Sequence, residues 1–108
     1  KTNTGIRYGI YKKGTGTFAN RNHVAIVSYK LSLLNGNTAY IVNDSTPEHI
    51  VISKTEIRGL EEALLLLREG DHAIIIIPSV LGYGLLGDEK RIPSRATLIY
   101  DLKLLSLY

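Results

Sequence analysis

The chain has 108 residues, of which 44% are hydrophobic and 21% charged, and these proportions are typical of one folded domain and unlike those of a disordered or fibrous chain. Its net charge of +3 is spread over scattered residues, which argues against a nucleic-acid-binding protein. The absence of cysteine excludes disulfides, thiol nucleophiles and zinc-thiolate sites, and no apolar run approaches the roughly 20 residues that a membrane-spanning helix needs.

The first part of the chain carries patterns that are typical of β-strands. Residues 6–11 predict a first strand, and two glycines within residues 12–16 predict the turn that ends it. Residues 23–34 alternate between apolar and polar side chains, which predicts a long strand with one buried face. That face would consist of Ala25, Val27, Tyr29, Leu31 and Leu33.

A tight reversal is expected directly after this strand. The pair Asn35-Gly36 tolerates the positive φ angles of a two-residue hairpin turn. Residues 38–42 and 49–52 then predict two short strands, because both runs are rich in β-branched and aromatic side chains. Residues 43–47 lie between them and have the composition of an exposed loop.

From Glu56 the apolar period changes from that of a strand to that of a helix. Five apolar residues share one helical face, namely Ile57, Leu60, Ala63, Leu64 and Leu67. Glu61 and Glu62 favour the positive end of the helix, and Gly70 is positioned to terminate it. A helix of about ten residues is unstable alone in water, so its apolar face must be covered by the sheet.

Two more strands complete the predicted elements. Residues 73–77 form a continuous β-branched run ended by Pro78, and residues 96–105 alternate with Leu98, Tyr100, Leu102 and Leu104 on one side. The sequence therefore predicts an α+β fold, in which a five- or six-stranded antiparallel sheet wraps around one short helix. A single domain over residues 1–108 is expected.

One motif points to a different function and is rejected. Residues 82–87 spell G-x-G-x-x-G after a buried strand, which is the spacing of a dinucleotide-binding turn. That turn must open into a helix whose N-terminal amides hold the pyrophosphate. Here a charged segment, Ile92-Pro93 and a strand follow instead, so no nucleotide site is expected.

Five short segments in the second half of the chain occur in a fixed order and spacing, namely residues 56–63 (EIRGLEEA), Ile77-Pro78, Tyr83-Gly84, Ile92-Pro93 and residues 96–105 (ATLIYDLKLL). Their order and spacing resemble the FKBP family of peptidyl-prolyl cis-trans isomerases. Residues 24–29 and 34–36 extend the resemblance over nearly the whole chain, and residues 38–54 align least securely. The resemblance implies the same α+β fold that the periodicities predict.

The resemblance also implies a reaction that needs no nucleophile, metal or cofactor. In this family a proline ring enters a cleft of aromatic and aliphatic side chains. The planar amide is resonance-stabilised and dipolar, whereas the twisted transition state is less so. An apolar cleft therefore disfavours the ground state more than the transition state. The expected substrates are proline-containing polypeptides during folding, with an apolar residue preferred before the proline.

By position, the resemblance assigns roles to individual residues. The catalytic set is Tyr29 as one wall, Ile57 through its backbone N–H, Tyr83 through a hydroxyl at the rim, and Tyr100 as an inward-facing aromatic. The substrate-binding set is Tyr40, Ile41, Ile50, Leu60 and Ile92. Without the resemblance, the strand tyrosines would be interpreted as ordinary packing or cross-strand partners.

Three positions depart from the family pattern. Leu60 replaces the usual tryptophan floor, Ile41 stands where an acid is usual, and Glu48 stands where an aromatic is usual. These departures predict reduced affinity for macrolide inhibitors. They also leave open an alternative function, that of an FKBP-like binding or chaperone module with weak or no isomerase activity in an envelope-associated protein.

The start of the sequence bears on compartment. It begins at Lys1 and contains no methionine, which predicts that an upstream segment has been removed and leaves open that this segment carried a signal or a lipid anchor. Residues 1–5 are then expected to be a flexible remnant. The resemblance to bacterial cell-envelope members favours the envelope or periplasm of a bacterium, with the cytoplasm as the alternative. No membrane contact is expected of the domain itself.

Overall fold

The computed structural model describes residues 5–55, 57–81, 92 and 95–108. Its elements in chain order are β1 (Arg7–Lys12), β2 (Val24–Leu33), β3 (Thr38–Val42), β4 (Glu48–Val51), a 3-10 turn (Ile52–Lys54), α1 (Arg58–Leu64), β5 (His72–Ile77), a second 3-10 turn (Ser79–Leu81) and β6 (Leu98–Leu107). Within these ranges, no helix is both long and apolar enough to cross a bilayer.

The six strands form one antiparallel sheet. Its order is β1-β5-β6-β2-β3, and β4 pairs with β2 beside β3. The strand β6 lies between β2 and β5 and pairs with both along most of its length. The expected fold class is confirmed, because a six-stranded antiparallel sheet packs against one short helix.

The edge of β2 is shared by two short strands in succession. The strand β3 pairs with Tyr29, Lys30, Leu31 and Ser32 of β2. The strand β4 pairs with the earlier part of β2, from Val24 to Val27. Residues 43–47 connect β3 to β4, as their loop composition predicts. This arrangement places β4 next to the start of α1, where the candidate site lies.

The turn between β2 and β3 differs from the expected two-residue turn. Only Gly36 has a positive φ angle, of 93°, and Asn35 keeps a negative one. The Gly36 N–H donates to the Leu33 carbonyl at 2.9 Å, and the Leu33 N–H donates to the Asn37 carbonyl at 2.8 Å. The loop therefore has three residues and one left-handed glycine, a common alternative in hairpins.

The helix α1 buries the face that the sequence predicts. Ile57, Leu60, Ala63, Leu64 and Leu67 are all buried. Gly59 also packs inward, and a Cβ atom there would lie 2.4 Å from Cγ2 of Ile77 in β5. Only a glycine lets the helix approach the sheet this closely, since carbon atoms normally stay about 3.5–4.0 Å apart.

The expected end of the helix is wrong. The last helical residue is Leu64, and Leu66 and Leu67 donate to carbonyls three residues back, in the tighter 3-10 pattern. The Leu67 carbonyl then accepts the Ala19 N–H at 3.0 Å. Gly70 does have a positive φ angle, of 92°, but it lies well beyond the helix and does not cap it.

A buried carboxylate fixes the segment that follows the helix. Asp71 is 1% exposed. Its Oδ1 accepts the Gly14 N–H at 2.7 Å, and its Oδ2 accepts the Arg68 N–H at 2.9 Å. One buried side chain thus joins two parts of the backbone, at Gly14 and Arg68, that are distant from each other in sequence.

Candidate active site

A cleft of about 400 Å³ opens on the face of the sheet that α1 covers. Its walls come from β2, β4 and β6, and its floor comes from the start of α1. The lining residues are Tyr29, Glu48, His49, Ile50, Val51, Lys54, Thr55, Ile57, Leu60 and Tyr100. The volume falls within the usual range of small-ligand pockets.

Two tyrosine rings form the aromatic part of the cleft. Tyr29 on β2 and Tyr100 on β6 are diagonal neighbours, since Leu31 pairs with Tyr100 and Tyr29 pairs with Leu102. Their ring centroids lie 5.2 Å apart at an interplanar angle of 65°. This edge-to-face contact is a favoured geometry for aromatic pairs. Tyr100 is 1% exposed, so its ring is a rigid base for the cleft.

The start of α1 supplies the floor and a hydrogen-bond donor. Ile57 is the N-cap residue, and its carbonyl accepts the N–H groups of Leu60 and Glu61. Within the described part of the chain, the Ile57 N–H donates to no protein acceptor. The first N–H groups of a helix lack intrahelical partners, so this one can bind an oxygen atom of a ligand. The side chains of Ile57 and Leu60 are buried beneath it.

Charged side chains stand at the rim of the same cleft. The Tyr29 hydroxyl donates to Oε1 of Glu48 at 2.6 Å. Lys54 ends the 3-10 turn and is exposed. The His49 Nδ1 atom lies 2.9 Å from the Tyr108 hydroxyl. The cleft therefore combines an apolar base with a rim that carries both signs of charge.

The structure brings together five of the nine residues that the resemblance assigns to the site. Tyr29, Ile50, Ile57, Leu60 and Tyr100 all line the cleft. These residues differ in exposure, because Leu60 and Tyr100 are nearly inaccessible and Tyr29 is partly exposed. Their grouping is a matter of geometry, and their roles in binding and catalysis remain predictions.

Three of the other four assigned residues do not line this cleft. Tyr40 pairs with Leu31 and packs against the core from β3. Ile41 pairs with Lys30, is 62% exposed and lines a cavity on the other face of the sheet. Ile92 is buried in the core. Tyr83 lies outside the described residues.

Five of the ten described lining residues are not among the site residues that the sequence predicts. These are Glu48, His49, Val51, Lys54 and Thr55. For Glu48 a signal exists, because Glu48 and Ile50 are two residues apart on one strand and therefore share a face. Lys54 and Thr55 follow a 3-10 turn, which leaves no periodic pattern in the sequence.

Two side chains whose pKa values are shifted, Tyr11 and Asp44, lie on the face of the sheet opposite the cleft. The hydrogen bond from the Tyr11 hydroxyl to Asp101, at 2.6 Å, raises the pKa of Tyr11 to about 12. The hydrogen bond from Ser28 to Asp44 lowers the pKa of Asp44. Among the described residues, no group of three or more His, Asp or Glu side chains is arranged to hold a metal ion.

The sequence is similar to one enzyme family over most of its length. The profile of the FKBP-type peptidyl-prolyl cis-trans isomerases matches residues 15–105. A probable FKBP-type isomerase, FkpA, of Neisseria meningitidis is 33% identical over 98% of this chain and 39% of its own length. FkpA of Buchnera aphidicola subsp. Baizongia pistaciae is 33% identical over 98% of this chain and 42% of its own.

Solved structures of related proteins share the fold. FkpA from Escherichia coli superposes with a TM-score of 0.89 and 27% identity, over 98% of this chain and 49% of its own. An isomerase from Pseudomonas syringae pv. tomato superposes with a TM-score of 0.88 and 24% identity, over 97% of this chain and 77% of its own. The chain spans about two fifths of the length of the two curated relatives named above.

Proposed function

The chain belongs to the FKBP-type peptidyl-prolyl cis-trans isomerase family, and from that premise we propose that its cleft accelerates cis/trans exchange of X-Pro bonds in polypeptides and so assists their folding. The observation that carries the proposal is the joint placement of the Tyr29–Tyr100 ring pair and the Ile57 N–H in one cleft. X-Pro exchange takes tens to hundreds of seconds without a catalyst, which is slow enough to limit folding.

The apolar base of the cleft supplies the main rate effect. A proline ring that enters the cleft moves out of water and into contact with Tyr100 and Leu60, whose side chains are almost fully buried. The planar amide loses more solvation there than the twisted one does, because resonance makes the planar form more dipolar. The barrier falls by this difference, and neither a proton transfer nor a covalent intermediate is needed.

The Ile57 N–H holds the substrate while the bond rotates. A carbonyl of the bound peptide accepts this N–H, which fixes one side of the X-Pro bond relative to the ring pair. The donor is in place before binding, because the helix start fixes Ile57 at φ −90° and ψ 104°. A fixed donor costs little reorganisation during the reaction.

A protease-coupled assay on short X-Pro peptides tests the activity. We expect faster cis-to-trans exchange at micromolar protein, and no acceleration of any peptide would reject the isomerase function. Tyr100→Leu keeps an apolar buried side chain but removes the ring, so we expect a loss of activity larger than the loss of stability. Far-ultraviolet circular dichroism checks that the variant is folded.

An amide-to-ester replacement at Ile57 tests the role of its N–H. The ester deletes one hydrogen-bond donor and keeps the side chain. We expect kcat/KM to fall about two- to tenfold, the value of one net hydrogen bond, with little loss of stability because this N–H has no acceptor in the described part of the protein. The matched control is the same replacement at Leu60, whose N–H bonds Ile57 at 3.0 Å and which should lower stability.

A second function, that of a binding or chaperone module with weak or no isomerase activity, is favoured by one observation. Glu48 and Lys54 place charges on the cleft that surround the apolar base. If this function holds, the protein suppresses aggregation of an unfolded client while X-Pro exchange stays at its uncatalysed rate. If the cleft is an active isomerase, the protein both suppresses aggregation and accelerates X-Pro exchange. Tyr100→Leu should then abolish the exchange activity and leave the suppression of aggregation.

We also propose that macrolide inhibitors bind with reduced affinity. Such ligands fill the cleft with hydrocarbon. Their contact with the Glu48 carboxylate would remove water from a negative charge, and the hydrocarbon would offer no hydrogen bond in its place. Competition by a macrolide in the exchange assay measures this. Glu48→Phe should tighten inhibition relative to the unmodified protein, and equal inhibition of the two proteins would reject the explanation.

A further inference from the structure

Glu48 is the one acidic side chain among the described residues that line the cleft. It opens β4 and pairs with Val27 of β2, which is fully buried. Side chains of directly paired residues lie on the same face of a sheet, so Glu48 points to the face that α1 covers. Ile50, two residues later, points the same way and is buried deeper in the cleft.

A hydrogen bond fixes the position of this carboxylate. Its Oε1 atom accepts the Tyr29 hydroxyl at 2.6 Å, a short distance typical of a charge-assisted bond. Tyr29 is itself held edge-on against Tyr100. The negative charge therefore stands beside the aromatic pair and does not move freely in solvent. Within the described residues, Oε2 has no hydrogen-bond or ion-pair partner, so the charge remains open toward the cleft.

We propose that Glu48 makes the cleft select X-Pro bonds with a lysine or arginine next to the proline, an inference that rests on the isomerase function proposed above. A proline ring seated against Tyr29 and Tyr100 places the neighbouring side chain at the rim, where Glu48 stands. A cationic side chain there gains an ion pair, whereas an acidic one is repelled. This differs from the preference for an apolar residue that the family resemblance implies.

Lys54 is the group that could cancel this selection. It lines the same cleft with the opposite charge, so the described lining has one acid and one lysine. Lys54 has no ion-pair partner in the described residues, and its long side chain is exposed. Glu48 is anchored at the ring pair instead. The fixed charge should dominate over the mobile one, because a mobile chain loses entropy when it forms a pair.

The test compares peptides that differ only in charge next to the proline. Lysine is paired with norleucine, and glutamate with glutamine, at the positions before and after the proline. We expect kcat/KM to favour lysine over norleucine about two- to fivefold, the range of an exposed ion pair, and to favour glutamine over glutamate. The lysine preference should shrink as salt is added.

Three variants separate charge from structure. Glu48→Gln keeps an oxygen that can accept the Tyr29 hydroxyl but removes the charge, so it should bring the ratio of kcat/KM for lysine to that for norleucine to about one. Lys54→Gln is the matched control, since it also removes one rim charge, and the lysine preference should persist. Tyr29→Phe keeps the Glu48 charge but removes the hydrogen bond that fixes it, so the lysine preference should weaken and the overall rate should fall.

The outcomes distinguish this inference from the function on which it rests. Equal rates for lysine and norleucine, or a preference that survives Glu48→Gln, would overturn the selection while leaving the isomerase intact. A uniform loss for all peptides in Glu48→Gln would show that Glu48 only orients Tyr29. If no peptide is accelerated, the isomerase function is rejected. Binding affinities of the same peptide pairs, measured by fluorescence polarisation, then test the charge selection, and equal affinities for the lysine and norleucine peptides would overturn it.

Discussion

Adding one methyl group to Gly59 tests how closely α1 packs on the sheet and how the cleft floor is placed. In Gly59→Ala the new Cβ atom would lie 2.4 Å from Cγ2 of Ile77 and 3.1 Å from the Leu81 carbonyl oxygen. Ile77 is fully buried, so its methyl group has no free space to enter. The helix must therefore move away from β5 by about 1 Å to restore normal carbon contacts.

Two opposing terms set the expected magnitude. Replacing glycine by alanine inside a helix gains about 1 kcal/mol from propensity alone. Overpacking a buried contact costs about 1–3 kcal/mol, and the contact at Gly59 belongs to the upper part of that range because Ile77 is enclosed. We expect a net loss of about 1–2 kcal/mol in the free energy of unfolding. The shift of Ile57 and Leu60 should lower kcat/KM at least tenfold, because a displacement of about 1 Å at a catalytic group can cost about 100-fold.

Chemical denaturation and the exchange assay together measure these effects. The matched control is Gly9→Ala on β1, where no described residue other than the two chain neighbours comes within 4 Å of the added Cβ and φ is not positive. It should leave activity unchanged and stability equal or slightly higher. If Gly59→Ala is more stable than the unmodified protein by about the full propensity gain and keeps its activity, the added methyl group meets no obstacle, and the close approach of α1 to β5 is refuted.

Three further predictions concern side chains outside the cleft. Asp71→Asn places an amide N–H group beside the backbone N–H groups of Gly14 and Arg68. It should lower the free energy of unfolding by about 1–3 kcal/mol in chemical denaturation, and an unchanged midpoint would contradict the role of Asp71 in joining these two segments. The folded pKa of Tyr11, about 12, exceeds the ordinary tyrosine value of about 10. The stability that its hydrogen bond contributes should therefore be complete below a pH of about 10 and be lost as pH rises through about 12. Asp101→Asn should return the Tyr11 titration, followed by ultraviolet absorbance, toward its usual range. Ser28→Ala should raise the pKa of Asp44 in an NMR titration, because the lowered value depends first on that hydroxyl, and the stability that Asp44 contributes above its usual pKa should be lost as pH falls.

Much of the sheet follows from side-chain alternation. The residues of β6 that alternate inward, such as Leu98, Tyr100 and Leu102, are buried as the sequence predicts. The same holds for Ala25 and Val27 of β2. The alternation of apolar and polar side chains along a strand is a local property of the sequence, and it arises wherever one face of the strand is buried.

The end of α1 illustrates what a local pattern cannot show. The apolar period continues to Leu67, and Leu67 is indeed fully buried. The helix stops at Leu64 because residues 67–69 bond residues 16–19, with Ala19 N–H donating to the Leu67 carbonyl and Glu69 N–H donating to the Thr17 carbonyl. These partners are distant in sequence, so periodicity cannot reveal the competition.

The cleft shows the same division between local and long-range information. The helix start and the inward face of β6 place Ile57, Leu60 and Tyr100 correctly in the core. Ile41 shows the limit, because its register with Lys30 puts it on the face away from the cleft. Glu48 reaches Tyr29 only because β4 pairs with the early part of β2. Register across strands is a tertiary property, which a single sequence does not encode in its period.

The central position of β6 has a consequence for how the protein itself folds during synthesis. Every other element precedes β6 in the chain, yet β6 joins β5 to β2. Until residues 98–107 leave the ribosome, the β1–β5 pair and the β2–β3–β4 group share no strand, and Tyr100 is missing from the cleft. Folding that waits for such distant pairings is slow, on the order of milliseconds to seconds, and it leaves the apolar faces of β2 and β5 open to aggregation meanwhile. The sheet of a nascent chain is therefore incomplete until its most central strand, which comes last among the described elements, has been synthesised.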